Sequence, residues 1–401
     1  MTTPHSVLRN DPATELTDVL RSVLHTGAAP FALHEPELTE VERRFVMQIL
    51  DEGFVSYAGR QVGQFEAELA KACGTTDAIA VVSGTAAIHV LLHVLGIGAG
   101  QEVLCPALTF IATANAISHS GAMPHFVDCT PTDLGIDVAK LDRYLSRVAS
   151  RTPDGTFNKQ TGRRISAIMP VHIFGHIGEM DAIRKLAEAW KLLVVEDATE
   201  SLGSRDRHGP SGGGGIAATL SFNGNKIVTT GGGGAIVTND RELAARLKHI
   251  TTTAKLPHRW NFVHDEIAFN YRLPNINAAL GLGQMARLPD MLKRKRLLAS
   301  RYRDGFANAK HWSFIDEPAG SSSNFWLNAV MLPEADAVLL DRTLGHLHEA
   351  GFLCRPCWTP MHLMPMYAEA PRDDLSTTES LAARIINLPS SPKLAGAPQD
   401  A

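Results

Sequence analysis

From Asp77 onward, short apolar runs alternate with stretches of helical length, and this rhythm constrains the fold more than any other feature. AIAVVS (78–83) is a β-rich run that meets Gly84, and TAAIHVLLHVL after it has helical spacing. EVLCPALTF, MPHFVDC, ISAIMPVHIFG and LLVVED are further short apolar runs, set apart by helix-like stretches such as DAIRKLAEAWK (181–191). Strands that carry no polar face must be covered on both sides. The pattern therefore predicts an α/β fold, a mostly parallel mixed sheet flanked by helices. ATLSF (218–222) and GAIVTND (234–240) extend that sheet, with the glycine runs 212–215 and 231–234 as turns.

A chain of 401 residues has room for a second, smaller unit. From about Pro289 the pattern changes to a charged helix, LPDMLKRKRLLASRYRDGF, followed by shorter mixed segments. The expected organisation is a loose arm over 1–30, a large α/β unit over 31–288 and a small C-terminal α+β unit over 289–401. The formal net charge of −4 leaves no basic field for nucleic acid. The opening stretch MTTPHSVLRNDPATELTDVL has no apolar targeting segment, and no apolar run reaches the length of a bilayer span. Five scattered cysteines do not make a disulfide framework, and the C-x-x-C of Cys354 and Cys357 has no second pair to complete a zinc site. The expectation is a cytoplasmic protein without membrane, nucleic-acid or metal partners.

Three segments carry chemistry. Ser83-Gly84-Thr85-Ala86 joins a strand to a helix, and a helix N-terminus with free N–H groups and small side chains can hold a phosphate; it can equally be a plain turn. Asp197 ends the run LLVVED at the carboxyl end of a predicted parallel strand, where open α/β sheets bind ligands. A carboxylate about 4 Å from a ring nitrogen favours its protonated form by roughly 4 kcal/mol at an effective dielectric near 20, or roughly three pKa units. The same Asp also suits the N-cap of a following helix. In Ser221-Phe-Asn-Gly-Asn-Lys226 a strand runs into a turn bearing a lysine. Desolvated in a cleft, such an amine is competent for Schiff-base formation, and Ser221 can add a hydroxyl to the phosphate site. A solvated surface lysine is the ordinary alternative, but the flanking FNGN and TTGGGG carry no other charge. No G-x-G-x-x-G, G-x-S-x-G, Walker loop or H-E-x-x-H stands in a suitable position.

Together with GFVSYAGRQVGQFEAELA (53–70), PALTFIATANAI (106–117), PVHIFGHIGEMDAI (170–183), EDATESLGS (196–204) and NYRLPNINAALGLGQ (270–284), these segments resemble the DegT/StrS sugar aminotransferases, enzymes of fold type I that use pyridoxal 5'-phosphate (PLP). The resemblance implies that Lys226 is the Schiff-base lysine and Asp197 the partner of the pyridine nitrogen. It implies that Phe110 stacks on the cofactor ring, that Thr85, Ala86 and Ser221 bind the phosphate, and that Glu200 stands beside the cofactor. Asn270 would reach the phosphate of a neighbouring subunit, giving a homodimer with shared active sites. L-Glutamate would donate the amino group and a nucleotide sugar would accept it.

Glu200 occupies a position where relatives often have His or Gln, and as a carboxylate it would need a proton or a partner. Gly232 replaces the acid of the T-T-G-E-G-G that relatives often carry, and the chain stops soon after NLPSSPKL, where many relatives continue into a last helix. SFNGNKIVTTGGGG and RPCWTPMHLMPMY (355–367) are most similar to the aminotransferases of legionaminic-acid and related nonulosonate pathways, which act at C4 of a 4-keto-6-deoxy-N-acetylhexosamine. The residues also admit amination at C3, a cyclitol ketone as acceptor, or a PLP-binding regulator without turnover. A PLP-dependent sugar dehydratase would have His in place of Lys226. His172, His176, His258, Arg259, Arg355 and Trp358 are candidates for the sugar-nucleotide cleft.

Overall fold

The structure, a computed structural model, describes residues 11–24, 29–57 and 59–396. Its main sheet runs, in spatial order, through Asp77–Val81, Gly234–Thr238, Ala217–Ser221, Leu193–Asp197, Arg164–Ile168, Gln101–Pro106 and Met123–Val127. The last five are mutually parallel, while Gly234–Thr238 is antiparallel to both of its neighbours. A hairpin of Ala149–Thr152 and Gly155–Asn158 adds to Arg164–Ile168. This is the mostly parallel mixed sheet that the alternation predicts.

Side chains on a strand point alternately to opposite faces, so each run feeds two cores. Ile79, Val81 and Ile236 pack with Leu91 and Leu247 of the helices Gly84–Val94 and Arg241–Thr251. Ala80, Ala235, Val237 and Leu220 pack on the other face with Phe65 of Arg60–Cys73 and with Ala278 and Leu282.

Ala278 and Leu282 belong to one long helix, Asn275–Phe306, which runs without interruption through Pro289. The sequence places a helix only from about Pro289, because NINAALGLGQ carries two glycines and a proline follows. Both glycines are contact points. A Cβ on Gly281 would lie 2.6 Å from the Phe65 ring, and one on Gly283 would lie 2.9 Å from Cα of Glu42. Glycine costs such a helix about 1 kcal/mol and an interior proline about 3 kcal/mol. Burial of Met285, Leu288 and Met291 around the proline offsets that cost.

A second sheet is antiparallel, in the order Ser313–Phe314, Asn328–Met331, Ile385–Leu388 and Arg355–Pro356. Its core takes Leu298 and Tyr302 from the far half of the long helix. The expected loose arm over 1–30 is corrected here: Pro12–Val23 is a helix, capped by Asp11, that buries Leu16 and Leu20 in the same core. Burial of two leucines, each contributing about 1.5–3 kcal/mol, is what ties it down. Residues 1–10 and 25–28 of that arm lie outside the described residues. All five cysteines are buried and unpaired, and burial pushes the Cys73 thiol up to about 12. Among the described residues no helix is long and apolar enough to cross a membrane.

Candidate active site

A cavity of about 530 Å³ opens where the parallel strands of the main sheet end, and the small sheet closes its far side. Its wall includes Ser83, Gly84, Thr85, Phe110, Asp197, Glu200, Ser221 and Lys226 from the main unit, and Arg355, Trp358 and Asn387 from the small sheet or beside it. Six of the eight expected site residues, Thr85, Phe110, Asp197, Glu200, Ser221 and Lys226, therefore share one space.

The phosphate end is built at the start of Gly84–Val94. Ser83 caps this helix, its Oγ accepting from the Ala86 N–H at 3.1 Å, and its carbonyl accepts from Ala87. The Ala86 N–H is thus already committed, and Ala86 is buried behind the cavity wall. The N–H groups of Gly84 and Thr85 have no partner within their own helix. A Cβ at Gly84 would sit 3.0 Å from Cβ and 3.3 Å from Oγ of Ser221, so the glycine lets that hydroxyl lie against the helix start without displacement. Two N–H groups, a hydroxyl and the positive end of a helix make a cradle for a phosphate group.

Asp197 is buried at the end of its strand. Its Oδ2 accepts from Thr113 Oγ1 at 2.7 Å and its Oδ1 from the Thr199 N–H at 3.2 Å; Thr113 in turn meets Thr109 at 2.8 Å. The carboxylate is held at a fixed tilt, with further acceptor capacity toward the cavity. Thr109, Thr113 and Thr199 carry no sequence signal that sets them apart from other threonines.

Lys226 follows a turn in which its N–H bonds to the Asn223 carbonyl. Its Nζ lies 3.8 Å above the Trp326 ring and 3.4 Å from Oε1 of Glu200. Trp326 is fixed from two sides: its indole N–H donates to the Asn225 carbonyl at 2.7 Å, and its own carbonyl accepts from Lys295 Nζ at 3.1 Å. Lys295 is wholly buried, and burial holds its amine well below the usual lysine range. Nothing in the sequence marks Trp326 or Lys295 as neighbours of Lys226.

Glu200 has the two partners its position demands. Its Oε2 accepts from the Phe174 N–H at 2.9 Å, and Lys226 stands at the other oxygen. Burial pushes its carboxyl up to about 7 against the pull of Lys226, and the nearby Asp197 charge adds to the rise. Phe174 makes that contact from a left-handed backbone, φ 57°, which is strained for a phenylalanine. Phe110 stands at the mouth, half exposed, with its ring edge toward Trp358.

Other expected residues lie elsewhere. Asn270 is exposed and bound to the Arg272 guanidinium, away from this chain's own cavity. Of the cleft candidates, Arg355 and Trp358 line the cavity. His172 is buried against Glu196, and His176 is buried against Phe325. His258 and Arg259 belong to an exposed loop with Trp260.

The cradle, the oriented carboxylate and the amine suit a phosphorylated pyridine aldehyde in donor type, and all three line one cavity. Residues 36–401 match the model of the DegT/DnrJ/EryC1/StrS aminotransferase family. The chain is 37% identical over 355 residues to GDP-perosamine synthase of Caulobacter vibrioides, covering 88% of this chain and 91% of that protein. It is 34% identical to dTDP-3-amino-3,4,6-trideoxy-alpha-D-glucose transaminase of Streptomyces venezuelae, covering 87% and 86%. Among solved structures it superposes on Helicobacter pylori PseC, an aminotransferase involved in the biosynthesis of pseudoaminic acid. The TM-score is 0.81 at 25% identity, over 90% of this chain and 93% of that one.

Proposed function

Since the chain belongs to the DegT/DnrJ/EryC1/StrS family of PLP-dependent sugar aminotransferases and acts on nucleotide sugars, we propose that it aminates C4 of a nucleotide-linked 4-keto-6-deoxy-(N-acetyl)hexosamine, with L-glutamate as donor. The carrying observation is the meeting of Lys226, Asp197, Ser221 and the Gly84–Thr85 helix start in one cavity. The likeness of 221–234 and 355–367 to nonulosonate-pathway aminotransferases supports C4, with Arg355 and Trp358 facing the sugar nucleotide. Similarity to a transaminase named for a 3-amino sugar favours a second reading, amination at C3.

Bound PLP supplies a carbonyl carbon for amine exchange and a ring that accepts electrons when a proton leaves the substrate carbon. In this reading Lys226 Nζ would be the group that holds the cofactor's carbonyl carbon, and as a free amine it would take up the proton that leaves the substrate carbon. Asp197 keeps a proton on the ring nitrogen, with Thr113 and Thr199 fixing its aim. Gly84, Thr85 and Ser221 would bind the phosphate, and Phe110 would lie against the cofactor. Ala86 contributes through the helix start rather than through its own N–H.

Asn270 would serve the cavity of a second copy, so the working unit is a homodimer. Exposed Trp260, Phe262 and Ile267, together with Phe54 and Tyr57, support that surface. Residues 54–56 hydrogen-bond to Asn275 and Ile276, and the 253–264 loop bonds to Phe269, so both segments flank Asn270.

The test is the absorption spectrum of the purified protein before and after L-glutamate. A visible band that gives way to a shorter-wavelength one, and returns with the right sugar nucleotide, is expected; nuclear magnetic resonance of the product then separates C4 from C3. Lys226→Ala should lack the exchange and all turnover. Absence of any band after incubation with PLP, or repeated turnover by Lys226→Ala, would overturn the proposal.

A further inference from the structure

Buried Glu200 meets Lys226 at the cavity wall, and amine exchange as proposed gives this carboxyl no role. Glu200 Oε1 lies 3.4 Å from Lys226 Nζ, and its other oxygen is occupied by the Phe174 N–H. The Glu200 side chain is buried, and that of Lys226, 11% exposed, lines the cavity wall. We propose that Glu200 is the proton partner of Lys226: one proton is shared between carboxyl and amine, so that the lysine becomes a neutral nucleophile while its proton stays in the site. The proposal rests on Lys226 being the lysine that binds PLP.

The step is a transfer within the pair. The ammonium gives one proton to the carboxylate, leaving a neutral amine with its lone pair and a neutral carboxylic acid; nothing else is consumed. In water the charged form wins by far. Burial penalises the Glu200 carboxylate, and a proton taken from the neighbouring amine relieves that penalty, so the two forms approach each other. The push on the Glu200 carboxyl to about 7 points the same way. Other groups bear on the balance. Asp197 faces Glu200 and favours its protonation, and the Cys357 thiol, itself raised by burial, stands on its small-sheet side. His34, buried and kept neutral, and the buried Lys295 stand on the Lys226 side. The Trp326 face steadies the ammonium form, so the pair is balanced from both directions.

The backbone adds a second observation. Phe174 accepts a left-handed φ of 57°, and its N–H is spent on the oxygen remote from Lys226. That leaves the near oxygen to the amine. A Gln or His at position 200 could also accept from Phe174, but neither could take a proton from Lys226 and remain neutral.

The test uses the protein stripped of cofactor, with Lys226 acetylated by acetic anhydride across a pH series and read by peptide mass spectrometry. Wild type should react in two steps, a partial plateau through neutral pH and then a full rise as the shared proton leaves. Glu200→Gln keeps an acceptor for Phe174 but loses the carboxylate. Its curve should be a single step that lacks the partial plateau through neutral pH, because the carboxylate that shares the proton is gone. Identical single-step curves would overturn the proposal and leave Glu200 as an anchor for Phe174. A second step that survives in Glu200→Gln would assign it to His34 and overturn it equally. Should the variant fail to fold, the wild-type curve decides by its own shape, one step against two. Failure of PLP to bind would instead sink the aminotransferase reading, and the acetylation curve does not depend on it.

Discussion

His176 packs edge-on against Phe325, and its Nδ1 has no hydrogen-bond partner among the described residues. Burial pulls its imidazole down to about 4, against the opposing pull of Glu317 and Asp316. Between that value and the ordinary 6.5 the unfolded chain binds a proton that the folded one refuses, so stability falls as pH drops through this window. From pH 7 to pH 5 the loss from this residue is about 2 kcal/mol. His176→Leu should therefore lose about 2 kcal/mol less than wild type over the same interval, measured by urea midpoints at the two pH values. Equal losses would mean that His176 is already charged in the fold. At this scale the sequence puts Asp197 and Ser221 at strand ends and Lys226 in the turn that follows, and the three meet in one cavity. What it does not carry are the residues that act by contact across the chain. Thr113 reaches Asp197 from 84 positions away, and Trp326 reaches Asn225 from 101. No local spacing encodes such meetings.

The elements of the main sheet are legible because each strand is a short apolar run bounded by turn chemistry, and tertiary packing asks nothing of them that the pattern does not already state. The long helix is not, because its glycines look like breakers until Phe65 and Glu42 are placed against them. The helix Pro12–Val23 has its own signs, Asp11 as cap, Pro12 at the first turn and Leu16 and Leu20 four apart. They gain meaning only from partners such as Leu298, Tyr302 and Ile386 in the second core. Leu20 has no exposure to solvent, so Leu20→Ala should cost about 2–5 kcal/mol. Denaturant unfolding followed by far-ultraviolet circular dichroism checks this; a cost under about 1 kcal/mol would mean that the helix is only loosely docked.

At the scale of the whole molecule, Trp260 is 68%, Phe262 78% and Ile267 92% exposed, apolar side chains more fitting to an interface than to water. We expect Phe262→Asp to shift the protein from dimer to monomer in sedimentation velocity. If Asn270 serves the second copy's cavity as proposed, turnover should fall as dimerisation is lost. A wild-type protein that is monomeric at every concentration, yet fully active, would refute the shared site.

The docked N-terminal helix also bears on how the chain is made. Pro12–Val23 leaves the ribosome long before Val330, Ile386 and Leu388 exist to receive its leucines. At roughly 5–20 residues per second it waits on the order of tens of seconds with its apolar stripe uncovered. The second core cannot close until Ile386 and Leu388 have emerged, so the leucines of this helix wait for partners made more than three hundred residues later.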